Sequence, residues 1–199
     1  MGQGGILKDL LLGSSSRLKN IIRFSNSHRI QDESVAEHSF STALYCLVIG
    51  EELRQQGLKI DVELAVKRAL VHDIEEAHSG DFIRTFKHSD PELSKAIDRA
   101  AEKFAKTLFK EMSPNVCKPL YDLWHHAKDH TMEGMLVEFA DFISVLSYVL
   151  REASMGNRCL LEENASTLGE YSNKFSAERY GFISSYVKEA QILLYKEIK

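Results

Sequence analysis

The chain has 199 residues, 44% apolar and 27% charged, the composition of an ordinary soluble globular protein with one core. A formal charge of −4 excludes a general attraction to nucleic acid polymer or to an anionic membrane, so any phosphate recognition must be local. Only three prolines and eleven glycines punctuate it, which favours helices over many short strands.

Residues 1–13 lack a basic leader and a long apolar run, and nothing approaches the roughly 18 apolar residues of a membrane span. Ile6 stands where a myristoylation motif needs Ser or Thr. Cys46, Cys117 and Cys159 are widely spaced and odd in number, so they read as reduced, mostly buried thiols of a cytoplasmic protein.

Residues 14–26 predict a short helix with Leu18, Ile21 and Ile22 inward and Arg23 and Phe24 at its end, followed by a polar loop over 25–33. Ser34-Val-Ala-Glu37 is a capping box, which starts a helix running to about Gln56 with His38 in its first turn. Asp61 is a candidate N-cap and Gly80 a stop for a helix over 61–78. On it Ala65, Ala69, His72 and Glu76 share one stripe, with Asp73 beside them. Small residues let another helix come close, and a histidine with carboxylates suits a divalent metal.

Asp90-Pro91 and Ser113-Pro114 each pair a cap with proline at the first helical position. They predict helices to about Met112, with Ile97, Ala101, Phe104, Ala105 and Leu108 inward, and to about Lys128. Residues 131–153 form the most apolar helix, carrying Glu138 and Asp141. Residues 154–176 are polar with weak helical character around 160–168. Residues 177–198 form an amphipathic helix with Phe182, Ile183, Val187, Ile192 and Leu193 on its apolar side. The whole is an all-α bundle of six to eight helices.

His38, His72, Asp73 and Asp141 are the candidate metal ligands. His38 alone reads more readily as a core histidine hydrogen-bonded to a carbonyl than as a ligand, and a lone His-Asp pair arises by chance. Asp141 lies off the strongest apolar arc of its helix, so periodicity allows a solvated aspartate. Val137, Val145 and Tyr148 nevertheless make its side partly apolar, where a carboxylate is costly unless paired or bound to metal.

In order, Arg23-Phe24, Glu33-Ser-Val-Ala-Glu-His38-Ser, His72-Asp-x-x-Glu76…Gly80-Asp81, Lys87 and Glu-Phe-Ala-Asp141 resemble the H…HD…D signature of HD-domain phosphohydrolases. The nearest likeness is to the bacterial 5′-deoxynucleotidase branch, whose relatives include deoxynucleoside triphosphate hydrolases and an oxetanocin-biosynthesis phosphohydrolase. The resemblance implies a single HD domain over 1–199, with its core over about 16–157 and the C-terminal helix over 177–198. It implies one divalent ion (Co, Mn or Mg) on His38, His72, Asp73 and Asp141, a deoxynucleotide substrate and a homodimer. Glu76 would position or activate the attacking water and Asp81 would hold the sugar or reacting groups. Arg23 and Lys87 would face phosphate, and Phe24 would take the place of an aromatic, usually Trp, that packs on the nucleoside. The chain departs from the family at Glu138, where many relatives carry Lys, a change of two charge units near the expected phosphate.

The activity so implied is hydrolysis of 2′-deoxyribonucleoside 5′-phosphates, mono- to triphosphates, or close analogues. Release of intact tripolyphosphate and a catalytically silent nucleotide-binding module are the rival expectations. His125, His126 and His130 are read as surface or outlying residues, not as ligands of a second metal.

Overall fold

Ser34 opens the first long helix as its sequence predicts. Its Oγ accepts the Glu37 N–H at 3.2 Å while Glu37 Oε2 accepts the Ser34 N–H at 2.7 Å, so two N–H groups that the helix cannot satisfy are satisfied reciprocally. In the computed structural model, which describes residues 13–110 and 112–198, seven helices of ten or more residues follow in order. They are α1 (Val35–Gln55), α2 (Val62–Val71), α3 (Pro91–Lys110), α4 (Pro114–His125), α5 (Met132–Ser154), α6 (Cys159–Phe175) and α7 (Ser184–Ile198). Short helical turns at Glu76–Ser79 and Arg84–Lys87 and 3-10 segments at Ser14–Asn20 and Glu178–Ile183 join them. Among the described residues no strand forms, only an isolated antiparallel bridge between Ile22 and Ser34. The expected all-α bundle is the observed fold. The reading of the N-terminal leader falls on residues 1–12, outside those described.

α1, α2 and α5 lie against one another through small side chains, with Ala43, Ala65, Ala69 and Ala140 buried at their contacts. Around this layer Leu136, Phe139, Phe175, Tyr180 and Ile183 fill the main core, to which α6 and α7 contribute. A smaller cluster of Leu18, Val35, Ile74, Leu108 and Phe109 seats α3 beneath the start of α1.

The observed elements depart from the sequence expectations at five places. The first helix is a 3-10 segment ending at Asn20, after which Ile22 pairs with Ser34 and closes the base of the polar loop. The helix predicted over 61–78 breaks after Val71. His72 Nδ1 stands 2.7 Å from the Ala69 carbonyl oxygen and competes for a helical acceptor. The next bonds run three residues back (Ile74 N–H to Val71 O, Glu76 N–H to Asp73 O), tightening the turn. The polar stretch 154–176 holds a full helix, α6, whose Leu160, Leu161, Leu168 and Phe175 are buried. The predicted helix over 177–198 begins as 3-10, and its apolar side is Val187, Ala190 and Leu194; Ile192 is 67% exposed and Leu193 is exposed as well. Of the three thiols only Cys46 is buried; Cys117 is half-buried and Cys159 exposed.

Loop 23–33, which carries Arg23 and Phe24, is tied down on α5. The fully buried Glu152 accepts the Ile30 and Gln31 N–H groups at 2.7 and 2.9 Å, and Tyr148 Oη donates to the Gln31 carbonyl at 2.6 Å. No helix among the described residues is long and apolar enough to cross a membrane.

Candidate active site

Three helices and one turn bring the four candidate ligands together. His38 comes from the first turn of α1, His72 from the C-cap of α2, Asp73 from the residue after it and Asp141 from the middle of α5. His38 Nε2 lies 3.0 Å from Asp141 Oδ1 and 3.6 Å from Asp73 Oδ2, and His72 Nε2 lies 3.0 Å from the same Asp73 oxygen. Ligand atoms of His38, His72 and Asp73 all fall within 4.8 Å of one another. Both Nε2 atoms are buried, and these carboxylate oxygens approach them without the geometry of a hydrogen bond.

The opposite ring nitrogens are accounted for. His72 Nδ1 stands at the Ala69 carbonyl, which accepts only from an Nδ1–H and leaves the Nε2 lone pair toward the cluster. His38 Nδ1 lies 3.0 Å from Ser144 Oγ and 3.0 Å from Arg23 Nη1. Burial and the Arg23 charge push His38 down to about 4, so it is neutral at pH 7. Burial also works against the charge of His72, but Asp73 overrides it and holds the imidazole above its ordinary value. Asp73 and Asp141 meet the same opposition, and His72 and Lys128 for the first, Lys128 and His38 for the second, keep both ionised. Two imidazoles and the Asp73 carboxylate whose ligand atoms gather within 4.8 Å, with ionised Asp141 joining through His38 at the edge of that group, fit a divalent transition-type cation.

Glu76 lines a neighbouring cavity of about 270 Å³ with Glu75, Phe82 and Lys87, close enough to the cluster for the charges of Asp73 and Asp81 to act on it. Its Oε2 is buried without a partner, and burial with the nearby Asp73 and Asp81 raises its carboxyl well above the usual range. Beside it, burial and Asp73 push Glu75 up to about 7, and its Oε2 accepts Trp124 Nε1–H at 2.6 Å.

Arg23 is buried and bound to Glu33 at 3.0 Å. Burial opposes its charge, but Asp81, Glu33 and Asp141 hold the guanidinium above its ordinary value. Phe24 adopts φ +52, a left-handed backbone uncommon outside glycine. Asp81 Oδ2 accepts its N–H at 3.2 Å, and its ring stacks on Tyr148 at 5.6 Å and 13°. Thus Asp81 holds the backbone of the aromatic residue while facing the site. Lys87 reaches the site edge but is paired with Asp98 at 2.9 Å.

A cavity of about 420 Å³ opens over the cluster, a size that suits a small-molecule ligand. Arg23, Asp73, Asp81, Lys87, Lys128 and Asp141 border its charged end; Phe24 and Phe82, with Glu163, Asn164, Thr167 and Tyr171 of α6, are among the residues that line the remainder. A larger depression elsewhere, about 880 Å³ and bordered by Lys19, Asp32, Glu37 and Arg151, contains none of the four ligands.

Sequence reasoning missed Lys128, whose Nζ lies 2.6 Å from Asp141 Oδ2, because it reads as the ordinary basic end of a helix. It also missed the α6 wall, because that stretch is too polar to announce a buried face. The concern over Glu138 resolves differently from the expectation: its carboxylate accepts from Lys174 Nζ and, at 2.5 Å, from Tyr180 Oη, and it does not border the cavity. His125 and His126 are exposed, His125 stacking on Tyr121, and His130 is exposed too.

The model of the family described as 5′-deoxynucleotidase YfbR-like matches residues 11–190. The chain belongs to this family. It is 34% identical over 112 residues to 5′-deoxynucleotidase HDDC2 of Dictyostelium discoideum, an alignment covering 55% of this chain and 57% of that protein. It is 25% identical over 189 residues, 94% of this chain and 92% of the other, to 4′-phosphooxetanocin A phosphatase of Priestia megaterium. Its fold is that of an HD-domain phosphohydrolase from Listeria innocua, with TM-score 0.71 and 22% identity over 92% of this chain and 97% of that one. Membership of a family described as 5′-deoxynucleotidase YfbR-like makes this chain a hydrolase of that family, on the fold of HD-domain phosphohydrolases.

Proposed function

We propose that this YfbR-like protein removes phosphate from 2′-deoxyribonucleoside 5′-phosphates, mono- to triphosphates, or close nucleoside analogues, using one divalent cation held by His38, His72, Asp73 and Asp141. The observation that supports it most is the pair of buried Nε2 atoms, each 3.0 Å from an ionised carboxylate, beneath a nucleoside-sized cavity. Such a cation, Co, Mn or Mg, supplies Lewis acidity toward a phosphoryl oxygen and toward the attacking water.

The chain's own residues do the rest. Arg23, buried and fixed by Glu33, presents its guanidinium to the phosphate, where planar donors can grip two oxygens. Lys87 adds a point charge at the cavity edge. Glu76, whose buried Oε2 has no partner, is the carboxylate that takes the proton of the attacking water. Phe24, propped by Asp81 and Tyr148, gives the nucleoside an apolar face. Asp81 also borders the cavity, within reach of a sugar hydroxyl.

A homodimer is part of this reading. Phe40, Leu44, Leu47 and Val48 form an exposed apolar stripe on α1, the kind of surface that a second copy covers; sedimentation at micromolar concentration should give twice the mass of one chain. Three unpaired thiols and the absence of a membrane-crossing helix among the described residues fit a cytoplasmic protein.

The deciding assay measures phosphate, pyrophosphate and tripolyphosphate released from deoxy- and ribonucleotides with Co, Mn, Mg and Zn. Phosphate release from deoxynucleoside 5′-monophosphates, abolished by chelation, is the expected result. Nucleotide binding without turnover under every metal would sink the proposal, and intact tripolyphosphate would redefine the bond broken.

A further inference from the structure

Three lysine and arginine side chains border the cavity, and they are not held alike. Arg23 is paired with Glu33 at 3.0 Å and Lys87 with Asp98 at 2.9 Å; neither carboxylate belongs to the ligand set. Lys128 instead lies 2.6 Å from Asp141 Oδ2, while Oδ1 of the same carboxylate faces His38 Nε2 at 3.0 Å. A divalent ion on Asp141 would therefore share its negative charge with Lys128. The ammonium would then stand beside the ion with its own charge only partly offset, where an incoming phosphate oxygen must lie.

The position of Lys128 is built, not incidental. It sits at the corner between α4 and α5, after the buried Ala127. The next residue, Asp129, accepts both terminal nitrogens of Arg68 at 3.1 Å and the Thr131 N–H at 3.0 Å. Gly134 passes so close beneath that a Cβ there would meet Asp129 Oδ1 at 2.4 Å. Meanwhile Glu138, one turn before Asp141, is taken up by Lys174 and Tyr180, so that turn of α5 brings no cation to the cavity.

We propose that Lys128 is a substrate-binding residue that contacts a phosphate oxygen of the nucleotide next to the Asp141-held cation. This rests on the phosphohydrolase reading above. The lysine acts as a point charge beside Arg23; its contact matters for any phosphate ester or free phosphate, and not for the nucleoside alone.

The test uses K128M and K128Q, both checked for folding by circular dichroism, with K128R as the charge-preserving control. Metal content, binding of inorganic phosphate to the Mn-loaded protein, and KM for a deoxynucleoside 5′-monophosphate are measured on each. Metal content should stay at the wild-type level, phosphate affinity should fall about 10- to 100-fold, and KM should rise by a similar factor. K128R should recover most of the phosphate affinity, and affinity for the free deoxynucleoside should not move. Phosphate affinity within about twofold of wild type in folded, metal-loaded K128M and K128Q overturns the proposal. So does loss of metal together with phosphate, which would reduce Lys128 to a prop for Asp141. A wild-type protein that binds phosphate through Lys128 but hydrolyses no nucleotide would overturn the phosphohydrolase reading instead. Normal hydrolysis with indifferent variants would overturn this inference alone.

Discussion

His72 Nδ1 lies 2.7 Å from the carbonyl oxygen of Ala69, three residues back on α2. That one bond ends the helix, selects the tautomer and leaves Nε2 toward Asp73. Metal binding and folding are thereby linked: a cation that binds only the native arrangement stabilises it by about 2.7 kcal/mol at a hundredfold excess over Kd. For a chain of this size that is roughly 5–11 °C in Tm. Wild-type protein titrated with Mn or Co should show this rise, and His72→Ala should lose both the rise and the bound metal. An alanine variant with full metal content would remove His72 from the site.

The same residue marks where the sequence stops being readable. Ser34 and Glu37, three residues apart, declare a helix start from local chemistry alone, and His72-Asp73 with His38 and Asp141 form an ordered pattern that a resemblance can carry. The break after Val71 could not be read, because it depends on a side chain taking a backbone acceptor within its own turn. Lys128 and Glu138 were opaque for another reason. Their meaning lies in partners 13, 36 and 42 residues away, and no periodicity encodes which of two lysines meets which carboxylate. The α6 wall is polar because it faces a cavity, so its sequence lacks the apolar signal that a core helix gives.

Glu76 carries opposed effects on activity and on stability. Glu76→Gln should keep its metal and lose about 10²–10⁴-fold in kcat, the usual contribution of a general base. In the metal-free protein its folded-state affinity for protons is raised by burial and by Asp73 and Asp81. A carboxyl raised in the folded state costs stability at pH values above its folded value, and the cost fades as pH falls through that value. Metal-free Glu76→Gln should therefore melt higher than wild type at pH 8, with the gap closing in acid. Paired melting curves against pH, alongside turnover with Mn, check both halves.

Glu152 works with the opposite sign. Burial opposes its ionisation, but the N–H groups of Ile30 and Gln31 and the Asn157 amide override it and lower its carboxyl below the ordinary 4.5. Stability from such a group is complete above the unfolded value and is lost as pH falls through the folded value. Glu152→Gln should cost about 1–3 kcal/mol at pH 7, with the deficit shrinking below the carboxylate range. Because those bonds hold loop 23–33, kcat/KM should fall as well, although Glu152 does not border the cavity. A stability deficit with unchanged kinetics would show that Arg23 and Phe24 need no anchoring from α5.

Gly134 separates the architecture of the α4–α5 corner from the chemistry of the side chain it presents. A Cβ at this position would lie 2.4 Å from Asp129 Oδ1, 2.5 Å from its carbonyl oxygen and 2.6 Å from its nitrogen, and two of these are backbone atoms that cannot rotate aside. Gly134→Ala must push the corner away from α5, strain of the kind that costs about 1–3 kcal/mol. The Asp129–Arg68 pair and the Thr131 cap share that corner, so the loss should appear as a lower Tm even without metal. If Lys128 acts from a fixed position, the variant should also raise KM in the direction of K128M while leaving Glu76-dependent turnover at saturation largely intact. Thermal melts and steady-state kinetics on Gly134→Ala decide it; a stable variant with unchanged KM would show that Lys128 finds its place without the glycine.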